Sequence, residues 1–141
     1  MNVIVDACVI IDALQQREPF AKDAQDLCLA VAKGEVSAFI PAKSVADIYY
    51  IMRRSLHNDE QTRVLLKKLF LSFGILDTTA LDCRNALTSP VSDFEDAILA
   101  ETAYRNGVQY IVTRNTKDYT RSVIPAAAPE EFLKKIPKNE D

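Results

Sequence analysis

Val3-Ile4-Val5-Asp6-Ala7-Cys8-Val9-Ile10-Ile11-Asp12-Ala13-Leu14 begins with three β-branched residues and then meets a carboxylate. Such a run reads as a short, buried parallel strand that delivers Asp6 at its carboxyl end. Val9 to Leu14 then forms the first turns of a helix or a structured loop. The rest of the chain repeats the alternation. Phe20, Ala24, Leu27, Cys28 and Val31 recur at helical spacing between Pro19 and Lys33, and Gly34 is a good stop. Val36 to Ile40 reads as a second strand ended by Pro41, and Ser44 as the N-cap of a helix through about Ser55.

Asp59 is expected to cap a helix from Glu60 to Phe73, stopped by Gly74, before a short third strand, Ile75-Leu76-Asp77. Thr78 or Thr79 starts a helix to about Leu87. Ser92-Asp93-Phe94-Glu95 has the form of a capping box at the head of a helix that ends at Asn106-Gly107. Val108 to Thr113 is the fourth strand, Arg114 to Thr120 a polar turn, and Ala126 to Ala128 a weak edge strand. Pro129 sits in the first turn of a closing helix, Pro129 to Leu133. Strands alternating with helices predict an α/β fold in three layers, α/β/α, around a mainly parallel sheet. A single domain over residues 1–136 is expected, with residues 137–141 frayed.

The totals narrow the function. The chain has 141 residues, 48% of them hydrophobic and 26% charged, which suits one globular core. No apolar run approaches the roughly 18–20 residues of a membrane span, and the N-terminus lacks the basic flank of a signal peptide. A cytoplasmic protein with no membrane partner is expected. Three cysteines, Cys8, Cys28 and Cys83, form no CxxC pair, which argues against a disulfide framework or a thiolate zinc site. His57 is the one histidine and lies in a polar inter-helix stretch, so any Ser-His-Asp or Cys-His scheme would have to run through a surface residue. A net charge of −3 excludes coating nucleic acid by bulk charge but allows a local basic patch.

Open α/β sheets bind ligands beyond the carboxyl ends of their strands. Asp6 stands there after the first strand; Thr113, Asn115 and Asp118 stand just past the fourth. Whether they converge depends on strand order. Asp47 is the one charge in Ser44-Val45-Ala46-Asp47-Ile48-Tyr49-Tyr50-Ile51-Met52, and Asp96 follows Asp93 and Glu95 at a helix start. Each alone is equally an acid that the helix dipole favours; the chemistry rests on the constellation. Clustered carboxylates repel one another, and a hard cation such as Mg²⁺ or Mn²⁺ relieves the repulsion. Such an ion acidifies a bound water and stabilises charge growing on phosphorus, which suits phosphodiester hydrolysis.

These segments resemble the PIN-domain family, particularly the VapC-type toxin branch of bacterial toxin–antitoxin systems. Val3 to Asp12 resembles the first motif, Ser44 to Tyr50 with Asp47 the second, Asp93-Phe94-Glu95-Asp96-Ala97 the third, and Thr113-Arg114-Asn115-Thr116-Lys117-Asp118-Tyr119 the fourth. The ending Ile124-Pro125 to Pro129-Glu130-Glu131-Phe132-Leu133 also looks like the family, so the resemblance covers essentially the whole chain.

The resemblance implies a five-stranded parallel sheet between helices and metal-dependent cleavage of RNA by the toxin of a type II pair. Partners would be the RNA substrate and an antitoxin protein, with a homodimer as a further expectation; the helix carrying Tyr49 and Tyr50 fits either a dimer face or the core. By position, Asp6 and Asp96 are the principal ligands of Mg²⁺ or Mn²⁺, with Asp47 and Asp118 completing the site or orienting the water. Asn115 competes with Asp118 for the fourth place. Thr113 is a hydroxyl that orients an acid, and Asp93 is auxiliary. Arg114 and Lys117 are candidates to hold the RNA backbone, as are Arg53, Arg54 and Arg121.

Three positions depart from the family pattern. Asp47 stands where glutamate is usual, Ala7 and Cys8 where a hydroxyl residue and asparagine are common, and Asn115 where many relatives have aspartate. They motivate the alternative of an RNA- or antitoxin-binding module with weak or no nuclease activity. Phosphoacceptor receivers need an acid pair beside the first strand and a late lysine, and Asp-x-Asp phosphatases need a second acid at Cys8; both patterns are missing.

Overall fold

In the computed structural model, which describes residues 1–137, the strands are β1 (Asn2–Val5), β2 (Ser37–Pro41), β3 (Gly74–Leu76), β4 (Tyr110–Val112) and β5 (Ala126–Ala127). The helices are α1 (Ala7–Leu14), α2 (Ala21–Ala32), α3 (Ala42–Leu56), α4 (Asp59–Ser72), α5 (Ala80–Ala86), α6 (Phe94–Asn106) and α7 (Pro129–Leu133). All five strands are parallel in the order β3-β2-β1-β4-β5. The expected α/β architecture is present, and the weak strand at Ala126 is its edge. Of the expected tail, Pro137 carries no regular structure, and Lys138 to Asp141 lie outside the described residues.

β1 is central, and its alternation builds two cores. Val3 and Val5 face a cluster with Val9, Leu27, Ile40, Ile48, Met52 and Phe132, while Ile4 faces one with Ala97, Leu99, Ile111 and Tyr119. Helices therefore cover both faces: α1 to α4 and α7 on one, α5 and α6 on the other. The chain leaves β1 outward to β2 and β3, then returns to place β4 on β1's other side. β1 and β4 flank this switch point, and they end level, with Val5 paired to Val112. The amide of Asp6 donates to the carbonyl of Val112 at 2.9 Å, which fixes Asp6 beside Thr113.

Three helix starts differ from the sequence reading. α3 begins at Ala42, directly after Pro41, whose extended backbone (φ −67°, ψ 140°) holds the cap position. Ser44 is consequently buried inside the first turn, and the Lys43 amide is satisfied by the Thr78 hydroxyl at 3.1 Å. Asn58, not Asp59, caps α4, accepting from the Gln61 amide at 2.8 Å. Asp59 instead pairs with Arg63 one turn on, at 2.9 Å. Asp93, not Ser92, caps α6, accepting from the Asp96 amide at 3.0 Å. Gly74 has a role beyond ending α4: a Cβ there would stand 2.6 Å from Phe39 Cδ1, so the absent side chain lets β3 close on β2.

Candidate active site

Asp6 occupies the N-cap position of α1, yet its carboxylate makes no capping hydrogen bond. It accepts instead from Thr113, whose fully buried hydroxyl donates to Asp6 Oδ2 at 3.0 Å. The same hydroxyl oxygen accepts from the Asn115 amide at 3.1 Å. Cys8 Sγ lies 3.9 Å from it. Because the one Thr113 proton goes to Asp6, the thiol is the donor in that contact. Burial, then the charge of Asp6, pushes the Cys8 pKa up, so Cys8 is a neutral thiol and a poor nucleophile.

Asp96 approaches from α6. Its carboxylate Oδ1 accepts from the hydroxyl of Tyr119 at 3.0 Å. Tyr119 is 2% exposed and ends a 3₁₀ turn, Thr116–Tyr119, that follows β4. Burial pushes the Asp96 carboxyl up to about 6; the Tyr119 hydrogen bond opposes this, and the negative charges of Asp93, Asp6 and Asp118 add to it. Asp6 after β1, Asp93 at the cap of α6 and Asp118 in the turn after β4 are thus near enough for their charges to bear on the Asp96 carboxyl.

A testable consequence concerns pH. The Asp96 pKa is about 6 in the fold against an ordinary 3.8, so the folded state binds the proton more tightly. The stability this supplies is complete below about pH 4 and is lost as pH rises through 6. Thermal scans in EDTA between pH 4.5 and 7.5 should show wild type losing stability relative to Asp96→Asn; parallel profiles would contradict the assigned environment.

Asp118 is exposed and its charge bears on Asp96, whereas Asn115 contributes a backbone amide to Thr113. Asp47 is exposed on the second turn of α3, and it is not among the acids whose charges chiefly bear on Asp96. Arg114 is engaged elsewhere: its Nε and Nη2 meet the two carboxylate oxygens of Asp12 at 2.8 and 3.3 Å, and its guanidinium lies 4.4 Å from the centre of the Phe20 ring. Asp12 is 1% exposed. This pair escaped sequence reading, although a carboxylate inside Val9-Ile10-Ile11-Asp12-Ala13-Leu14 is the kind of residue that needs a partner. Lys117 and Arg121 are exposed, and Arg53 and Arg54 lie in the last turn of α3.

Among the described residues, no three Asp, Glu, His or Cys side chains stand together as a ready-made metal cage. Mg²⁺ does not require one, because it keeps several waters and is commonly held by one or two carboxylates. Hard oxygen donors whose proton affinity is raised by burial and then by neighbouring negative charge fit such an ion, and the neutral thiol of Cys8 does not compete for it.

Comparison with known proteins adds a family and a fold. The sequence model described as PIN domain matches residues 2–117. No curated protein sequence matches the chain. The structure of VapBC2 from Rickettsia felis bound to a DNA fragment from its promoter is similar over 91% of this chain and 98% of that chain, at 16% identity and a TM-score of 0.67. A toxin–antitoxin complex from Klebsiella pneumoniae is similar over 90% and 97%, at 19% identity and a TM-score of 0.66. FitAcB from Neisseria gonorrhoeae is similar over 91% and 98%, at 19% identity and a TM-score of 0.63. At such identities the likeness is one of fold.

Proposed function

Since the chain belongs to the PIN domain family, we propose that it is a Mg²⁺- or Mn²⁺-dependent endoribonuclease and the toxin of a type II toxin–antitoxin pair. The observation that carries this reading is that Asp96 stands near enough to Asp6, at the β1–β4 switch point, for that charge to bear on its carboxyl, which burial first and then the charges of Asp93, Asp6 and Asp118 raise to about 6. A divalent ion held there supplies Lewis acidity toward the phosphate and lowers the pKa of water.

The chain's own residues divide the remaining work. Asp6 and Asp96 are the ligands, and Asp118 and Asp47 supply further charge or orient the attacking water. Thr113 fixes one rotamer of Asp6 through its buried hydroxyl. Lys117, exposed and next to Asp118 in the chain, is a cation that would meet an RNA phosphate. Arg114 serves the loop rather than the substrate, because Asp12 already holds its guanidinium. An antitoxin partner, self-pairing and a cytoplasmic setting belong to the same reading. The fold relatives include toxin–antitoxin complexes, and no helix among the described residues is long and apolar enough to cross a membrane.

A second reading, an RNA- or antitoxin-binding module, is favoured by the lack of a ready-made acid cage among the described residues and by Ala7, Cys8 and Asn115. Labelled structured RNA separates the two. The nuclease reading expects cleavage in millimolar Mn²⁺ that EDTA abolishes and added Mn²⁺ restores. Binding of the RNA with no cleavage under any of these conditions would favour the module.

A further inference from the structure

The Tyr119 hydroxyl donates to Asp96 Oδ1 from inside the core. A buried phenol needs a hydrogen-bond partner. This one lies among Ile4, Ala97, Leu99 and Ile111, and it sends its proton to a carboxylate of the acidic cluster. Phenylalanine would fill almost the same space without a donor, so the hydroxyl is the atom to explain. Three consequences follow from its position. First, a donor fixed at 3.0 Å from Asp96 Oδ1 selects one orientation of the carboxylate. Among the described residues no hydrogen bond reaches Oδ2. Second, it offsets part of the cost of keeping Asp96 charged beside Asp6, Asp93 and Asp118. Third, it ties the turn carrying Asp118 to the head of α6, so the two acids are positioned together. The Asp93 cap on the Asp96 amide, at 3.0 Å, holds the backbone of the same residue.

We propose that Tyr119 is a positioning residue for the metal centre, its hydroxyl holding Asp96 by Oδ1 so that Oδ2 is presented to the divalent cation. This rests on the reading of Asp96 as a metal ligand. Outer-shell partners of metal ligands are typically worth roughly 10- to 100-fold in affinity, which sets the expected size.

The test is Mn²⁺ binding to the full chain, followed by calorimetry and by the electron paramagnetic resonance signal of the ion, for wild type, Tyr119→Phe, Asp96→Asn and Tyr49→Phe. The Tyr119→Phe exchange conserves volume, and circular dichroism verifies its fold. Tyr49→Phe is the control, since it removes a hydroxyl bonded to Asp59 on the α3–α4 surface. The expected result is Mn²⁺ affinity about 10-fold weaker in Tyr119→Phe, with an altered resonance signal from the bound ion, and unchanged in Tyr49→Phe. Wild type and Tyr119→Phe binding Mn²⁺ within twofold of each other, while Asp96→Asn is impaired, would overturn the role of Tyr119 and leave the metal site standing. Wild type and Asp96→Asn binding equally, or neither binding, would overturn the ligand reading and the role of Tyr119 with it.

Discussion

Asp6→Asn is expected to lower Mn²⁺-dependent RNA cleavage by at least about 100-fold while leaving the folded state intact. The size follows from what the side chain does. It is the acid at the switch point, its amide is bonded to Val112, and a buried threonine directs its carboxylate. Asparagine keeps the volume and can still accept from Thr113, so packing and backbone survive. What is lost is the negative charge that would hold a cation. The prediction is checked by single-turnover cleavage of labelled RNA, with thermal unfolding in EDTA as the control for folding. A variant that cleaves at the wild-type rate would remove Asp6 from the chemistry.

The largest stability effect is expected away from the site. Asp82 is 2% exposed and accepts from Arg105 Nε and Nη2, both at 2.9 Å, from Thr102 Oγ1 at 3.0 Å and from the Thr79 amide at 3.0 Å. It joins the cap of α5 to the far part of α6. Asp82→Ala leaves the Arg105 guanidinium and the Thr79 amide without this acceptor, while the Thr102 hydroxyl keeps the Ile98 carbonyl at 3.0 Å, and breaking a buried pair in this way costs about 3–5 kcal/mol. Arg105 is 33% exposed and keeps its 2.6 Å bond to the Asp77 carbonyl, which puts the expectation near the lower end, about 3 kcal/mol. That corresponds to a thermal midpoint roughly 10 °C lower for a domain of this size.

The pH dependence of this group has the opposite sign to that of Asp96. Burial works to raise the Asp82 carboxyl, but Arg105, the Thr79 amide and Thr102 together hold it down to about 2, against an ordinary 3.8. Its stabilisation is present above about pH 4 and lost as pH falls toward 2. Urea unfolding of the variant near neutral pH tests the magnitude; a loss under about 1 kcal/mol would show that the network contributes little to the fold.

Much of this architecture was legible in local sequence. The run Val3-Ile4-Val5 is fully buried because a central parallel strand has helices on both faces, and such a strand has no reason to carry polar residues. Asp6 stood out because the run ends there, and Asp96 because it opens a helix. Their meeting was not legible, since it depends on β4 returning beside β1 from across the sheet, and no spacing records that. The misplaced caps have a related cause. Pro41's extended backbone already holds the cap position of α3, and the Lys43 amide donates to Thr78, 35 residues on, so Ser44 falls inside the first turn rather than at its cap. Likewise Ser92 and Asp93 both suit a cap, and Asp93 is the one whose carboxylate accepts from the Asp96 amide.

The partnerships that shape the site are also long-range. Asp12 with Arg114 and Asp6 with Thr113 span 102 and 107 residues, and Tyr119 reaches Asp96 across 23. Each joins residues from separate elements that only the sheet order brings together. Arg114 illustrates the consequence: beside Lys117 in sequence it looks like a phosphate ligand, but a buried carboxylate claims it first.

The most direct measurement is anomalous diffraction from crystals soaked in millimolar Mn²⁺. One Mn²⁺ peak bonded to carboxylate oxygens of both Asp6 and Asp96 is expected, at about 2.1 Å, the distance characteristic of a small hard cation on oxygen. A Mn²⁺ peak at another group of acids, or none at Asp6 and Asp96, would contradict it.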